Sequence, residues 1–292
     1  MKNSTGLQMF DIINIRCCRK PSEATVKRSA ELLFLFRSFV VLLLVLFSFG
    51  CYPTASVPID SVHYDAKNAQ RPRLLIIYLP GRGDSMSVFQ KEGLVEAVRE
   101  RGLPADIIAV NAHIGYYING SMLTRLKEDV INPAKAKGYE QIWMVGNSLG
   151  GYGSISYTRE NPNDVTGVVL LGPYLGGKTL MNEIKQAGGL QKWDAREIKN
   201  NSQEYWDKHL WLWLKDCERL KGCYPKIYLG YGRDDRFSYS QDFLASLMPP
   251  EHVITIDGGH DWRTWKKLWL LLIRKNIFQV NTVKAAPVEV KL

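Results

Sequence analysis

Six short apolar runs, separated by segments of helical period, restrict what this chain can build more than any other feature. The first, Arg73–Leu79 (RLLIIYL), is apolar at consecutive positions. A strand with that pattern must be covered on both faces. Ile107–Val110, Gln141–Val145 (QIWMV), Val165–Leu171 (VTGVVLL), Lys226–Tyr231 (KIYLGY) and His252–Ile256 (HVITI) repeat the theme. Between them, Ser87–Arg101 places Val88, Leu94, Val95 and Val98 on one helical face and has Gly102 just past its end. Thr124–Lys137 reads as a helix interrupted at Pro133, another runs to Glu160, and a last one starts near Asp261 and passes Leu272. Repeated β–α units give an α/β fold with a mostly parallel sheet, right-handed crossovers and helices on both faces. Ligands of such sheets bind at the carboxyl ends of the strands.

The spacing divides the chain into 1–51, a signal or membrane anchor; 52–70, a polar tether; 71–278, the folded domain; and 279–292, a loose tail. Residues of about 174–223 interrupt the β–α rhythm and read as a small cap insertion. Within it, Tyr205–Leu214 (YWDKHLWLWL) puts Tyr205, Trp206, His209, Leu210, Trp213 and Leu214 on one helical face, with Trp211 and Leu212 elsewhere. Such a helix either packs on the sheet or closes over an apolar pocket, with Trp206 and Trp213 as lining candidates.

The third run leads into Gly146-Asn147-Ser148-Leu149-Gly150-Gly151. This is a G-x-S-x-G turn between a strand and a helix, which lifts a serine hydroxyl above the sheet edge. The helix that follows aims free N–H groups at the place where negative charge would develop. A serine hydroxyl needs a base to act as nucleophile. Of five histidines, His260 in Asp257-Gly258-Gly259-His260-Asp261-Trp262 lies between the last strand and the last helix, at the required edge. His113 follows the second strand on the same edge and is a pocket candidate. The base needs a carboxylate to orient it; Asp234 or Asp235, in Tyr231-Gly232-Arg233-Asp234-Asp235-Arg236-Phe237, could serve. Phe237 could pack beneath that loop and hold the preceding carboxylate toward His260. Two N–H donors are needed for an oxyanion. Leu149, next after the serine, supplies one; Arg82, in Leu79-Pro80-Gly81-Arg82-Gly83-Asp84, is positioned for the other.

LPGRGDS, GNSLGG, YGRDDRF and GGHDW together resemble the α/β-hydrolase superfamily, over about Arg71 to Asn276. The resemblance implies a serine hydrolase working through an acyl-enzyme without cofactor or metal, on a small-molecule or lipid-like ester. It also implies Asp235 as the acid, since members often show glycine, two variable residues and then the carboxylate. The order Ser148, Asp235, His260 is that of α/β-hydrolases. Pro80 stands where many esterases of the family carry His, which argues against the HGGG-type lipases. A non-catalytic envelope protein on the same scaffold is the rival reading; loss of a triad member would signal it, and none is lost.

Charge and cysteines bear on location. Net charge is +9, but residues 1–50 hold seven Lys/Arg and three acids, which leaves +5 on the rest. No long like-charge run occurs, so a nucleic-acid partner is not indicated. Lys27 and Arg28 precede an apolar stretch that ends in Phe39–Gly50 and is followed at once by Cys51. This is similar to a bacterial lipoprotein signal, with lipidation at Cys51. An uncleaved anchor helix over Leu32–Gly50, close to the roughly 20 residues that span a bilayer, and simple secretion are the alternatives. All three carry the body out of the cytoplasm. There Cys217 and Cys223 form a disulfide candidate.

Overall fold

The alternation along one central strand sets the layers. In Leu74–Leu79, Leu74, Ile76 and Tyr78 enter one apolar cluster, while Leu75, Ile77 and Leu79 enter another on the opposite face. All six are buried, which is why the run is apolar at every position. The structure, a computed structural model, describes residues 36, 37, 39, 52–67, 73–195, 203–219 and 225–278. The chain divides into two units, 1–51 and 52–292. The expected signal and anchor stretch, apart from residues 36, 37 and 39, lie outside the described residues, as do the lipidation site at Cys51 and the tail 279–292. No helix among the described residues is long and apolar enough to cross a membrane.

The seven strands are β1 (Ser61–Tyr64), β2 (Leu74–Leu79), β3 (Ala105–Val110), β4 (Gln141–Asn147), β5 (Gly167–Leu171), β6 (Lys226–Gly232) and β7 (Val253–Ile256). They form one sheet in the order β1-β3-β2-β4-β5-β6-β7. All neighbours are parallel except β1 and β3. Val88–Lys91, Leu94–Glu100 and Trp262–Arg274 cover one face, through Phe89, Val95, Leu268 and Trp269 among others. Helix Leu149–Glu160 and the segments around it cover the other, through Tyr116, Leu126 and Tyr157 near β2 and β3. Further along that face, Ile155, Leu210 and Trp211 cover β5 and β6.

Three expectations are corrected. Residues 52–70 are not a tether over their described part: β1 pairs with β3 from Ser61↔Val110 to Tyr64↔Ile107. Ile59 is buried, and its N–H donates to Asp129 Oδ2 at 2.8 Å. Four residues with two polar side chains leave too short an alternation to read, and the strand is fixed by the free edge of β3. Ser87–Arg101 is two helices, broken where Gly93 takes φ 80°. The helix over 124–137 begins at Met122 and widens to a π-helical stretch at Leu126–Ile131 before resuming at Asn132–Ala136. Pro133 has no N–H for the carbonyl four residues back and its ring crowds that carbonyl, so the backbone register must change there.

Candidate active site

The connection after β2 leaves toward one face of the sheet and the connection after β4 toward the other. Because β2 and β4 are adjacent, a crevice opens at their carboxyl ends. Leu79 pairs with Gly146 there, so the loop after β2 starts beside the serine turn.

Ser148 makes that turn alone, since β4 ends at Asn147 and the helix starts at Leu149. Its backbone sits at φ 50°, ψ −116°, a region that costs a non-glycine residue about 1–3 kcal/mol. Three backbone bonds hold it. Ser148 N donates to Leu171 O at 3.1 Å, and Ser148 O accepts from Tyr152 N at 3.2 Å and Tyr174 N at 3.1 Å. Glycine at position 150 is a steric requirement: a Cβ there would lie 1.9 Å from Leu79 O. The first turn of the helix is thus pressed onto the end of β2.

His260 reaches the serine from the loop after β7. Its Nε2 lies 2.8 Å from Ser148 Oγ, and its Nδ1 lies 2.9 and 2.8 Å from the two carboxylate oxygens of Asp235. All three residues are withdrawn from solvent; Asp235 is 3 % exposed and Ser148 7 %. Asp235 Oδ1 also accepts the Phe237 N–H at 2.9 Å. The Phe237 and Trp265 rings stand edge-on to the imidazole, each with centroids 4.9 Å away. The imidazole is thereby gripped on its ring as well as at its nitrogens. Asp234 is exposed, and its N–H donates to Gly258 O at 3.0 Å, so it braces the loop through the backbone. After His260, Asp261 caps helix Trp262–Arg274 by accepting Thr264 N–H at 2.9 Å. That bond holds its carboxyl below the usual carboxylate range.

The loop after β2 closes with Asp84 N donating to Gly81 O at 3.1 Å, while Gly83 takes φ 88°. Positive φ at the third position makes a turn in which the second residue, Arg82, keeps its N–H out of the turn's own hydrogen bond. A Cβ on Gly81 would come within 3.3 Å of Ser148 Cβ, so this backbone passes close to the serine. Leu149 N–H, at the start of its helix, has no intrahelical acceptor. Leu149 adjoins Ser148 in the chain, and Arg82 follows Gly81, whose backbone passes close to the serine. Asp84 ties this loop to the histidine loop by accepting Trp262 Nε1–H at 3.1 Å, and burial pushes its carboxyl up.

The remaining expected residues separate. Trp206 lines a half-open groove along helix Leu149–Glu160, with Tyr117, Met122, Leu123, Tyr152 and Gln203 among its walls. Trp213 does not line it; it packs, partly buried, against the cluster under helix Gln203–Arg219. His113 does not line it either: its Nδ1 accepts Gly115 N–H at 3.2 Å as the cap of helix Ile114–Ile118, and burial lowers its pKa. The buried residues of Gln203–Arg219 are Asp207, Lys208, Leu210, Trp211 and Leu214, so Trp211 is inside rather than turned away. Its indole N–H donates to Leu175 O at 2.7 Å. Cys217 is disulfide-bonded; Cys223 lies outside the described residues.

An S-formylglutathione hydrolase (FrmB) from Staphylococcus aureus superposes with a TM-score of 0.50 at 16 % identity, covering 77 % of this chain and 99 % of that one. Est1E from Butyrivibrio proteoclasticus does so with a TM-score of 0.52 at 14 % identity, covering 76 % and 95 %. The fold is that of an α/β-hydrolase. FphF, a fluorophosphonate-binding serine hydrolase from Staphylococcus aureus, matches it too, with a TM-score of 0.52 at 14 % identity over 76 % of this chain and 98 % of that one. In sequence, an acetyl esterase from Caldicellulosiruptor saccharolyticus is 26 % identical over 144 residues. That alignment takes in 44 % of this chain and 51 % of the relative, so the chain spans about half the relative's length. No family model matches. At this site, sequence reasoning passed over Trp265, Tyr174 and the Asp84–Trp262 bond. Trp265 could have been read from its position on the inward face of the last helix, three residues after Trp262; the partner of Trp262 could not.

Proposed function

We propose that this α/β-hydrolase is a serine esterase, cleaving carboxylic esters through an acyl-enzyme. The observation that carries the reading is the continuous hydrogen-bonded path Ser148–His260–Asp235 at the sheet's carboxyl edge. Ser148 Oγ forms the bond to the acyl carbon as His260 Nε2 takes the hydroxyl proton. The carbonyl oxygen gains negative charge between the N–H groups of Leu149 and Arg82. The bond to the alcohol oxygen breaks, and His260 returns the proton to that oxygen. Water then attacks the acyl carbon with His260 again as base, which releases the acid and restores Ser148. Asp235 fixes the Nδ1–H tautomer and stabilises the imidazolium. The partial likeness to an acetyl esterase favours ester over other acyl chemistry. On sequence grounds alone, we add that residues 1–51 export the domain and anchor it to a membrane, through lipid on Cys51 or an apolar helix.

A panel of p-nitrophenyl esters of rising chain length, run on wild type and Ser148→Ala, tests the catalytic reading. Turnover should fall by orders of magnitude in the variant, as it does when a triad nucleophile is removed; equal turnover by the two proteins would refute it. Mass spectrometry of the membrane-associated protein tests anchoring. A lipidated N-terminal Cys51 supports the lipoprotein form, and an unmodified Cys51 still joined to Gly50 excludes it.

A further inference from the structure

Asp207 is a carboxylate that the proposed chemistry does not use, yet it is 4 % exposed on the inner face of helix Gln203–Arg219. A charge in such a place is expensive unless its oxygens are bonded. Each oxygen has a donor: Tyr174 OH reaches Oδ2 at 2.9 Å and Gln203 Nε2 reaches Oδ1 at 2.7 Å. Tyr174 lies in the loop that leaves β5 and returns to the serine. Its N–H donates to Ser148 O at 3.1 Å, one of the three bonds that hold the strained turn. Its ring meets Phe237 edge-on at 5.3 Å, and Phe237 in turn stands edge-on to His260.

The same loop is gripped along its length by side chains from outside it. Trp211 donates to Leu175 O at 2.7 Å from the helix that carries Asp207. Gln241 donates to Pro173 O at 3.0 Å and Tyr239 to Gly176 O at 3.2 Å, both from helix Ser238–Ser246. Four side-chain bonds to four consecutive residues, Pro173 to Gly176, are more than a passive connection needs. They fix where the N–H of residue 174 lies, and so the backbone of Ser148.

We infer that Asp207 and Tyr174 are a pair of positioning residues that transmit the seating of the cap helix to the nucleophile's turn and to the Phe237 face of His260. The inference rests on Ser148 and His260 acting as proposed above. Neither residue touches the reacting atoms; the pair acts by holding Ser148 Oγ and the imidazole in register. Groups that act through one contact lose their effect together when either is removed.

The test is a double-mutant cycle with Asp207→Ala and Tyr174→Phe, read by kcat and KM on one ester and by the labelling rate of a fluorophosphonate. Each single variant should lose about tenfold in kcat with KM little changed, and the double variant should lose no more than the worse single one. Asp207→Asn keeps an acceptor for the Tyr174 hydroxyl and should recover most of the loss, which general destabilisation would not explain. If Asp207→Ala fails to fold, Tyr174→Phe and Asp207→Asn carry the same comparison. Additive losses, a loss confined to KM, or Tyr174→Phe at wild-type kcat would overturn the assignment. Failure of the wild type to label would instead overturn the hydrolase reading on which it stands.

Discussion

The serine turn at the carboxyl edge of the sheet and helix Gln203–Arg219, packed on the face over β5 and β6, are held by different means. The turn is specified by backbone. Ser148 is locked by three main-chain bonds, and Gly150 by a carbonyl that leaves no room for a Cβ. Helix Gln203–Arg219 is specified by side chains, with Asp207 and Trp211 bonded to the loop after β5. Where backbone decides, the permitted residues are few and the sequence announces the structure. Where side chains decide, many sequences would serve, and the helix can only be read once its partners are known.

Several substitutions would break or sharpen that contrast. Asp235→Asn keeps the shape of the acid but favours the wrong imidazole tautomer, and should lower kcat by roughly 10⁴-fold. Asp234→Asn should stay near wild type, because its side chain is exposed and its bond to Gly258 O is a backbone bond. Both are to be measured on one ester, and the reverse ranking would move the acid to Asp234. Gly150→Ala comes next. A methyl 1.9 Å from Leu79 O forces the backbone apart, so urea denaturation should show a loss beyond the ~3 kcal/mol of ordinary overpacking. On the side-chain-held element, Trp211→Phe keeps an aromatic ring but leaves Leu175 O without its donor. It should cost about 1–3 kcal/mol by the same measurement. A cost equal to that of Gly150→Ala would erase the distinction.

The smallest effect concerns Asp261. Its folded pKa is depressed by the Thr264 N–H, so its contribution is complete above the ordinary carboxylate range and disappears as pH falls through the lower folded value. Asp261→Ala should therefore cost ~1 kcal/mol at neutral pH, with the difference from wild type closing in acid. Thermal melts across that pH range check both the size and the sign.

The same contrast explains how much was legible beforehand. β2 to β6 stand out because strands covered on both faces need apolar residues at successive positions, as in Leu74–Leu79; β7, an edge strand that is only partly buried, shows the same apolar run. β1 was missed because Ser61–Tyr64 is short and half polar and owes its place to the edge of β3. The serine, the histidine and the oxyanion loop follow from turn chemistry. The choice between Asp234 and Asp235 does not follow from the loop's residues, since the two are adjacent and differ only in which one the fold buries. Trp211 and Trp213 exchange roles for a related reason: helical spacing in YWDKHLWLWL groups Trp213 with Leu210 and Leu214, whereas the fold buries Trp211 with them and leaves Trp213 partly buried. His113, a histidine on the right edge, is committed to capping a helix.

The central claim is that Ser148, raised on a strained turn and bonded to His260, is the nucleophile. Fluorophosphonate labelling followed by peptide mapping tests it most directly. One phosphonate adduct per chain is expected, located on Ser148 and absent from Ser148→Ala. Labelling that persists in that variant, or an adduct mapped to any other residue, would contradict it.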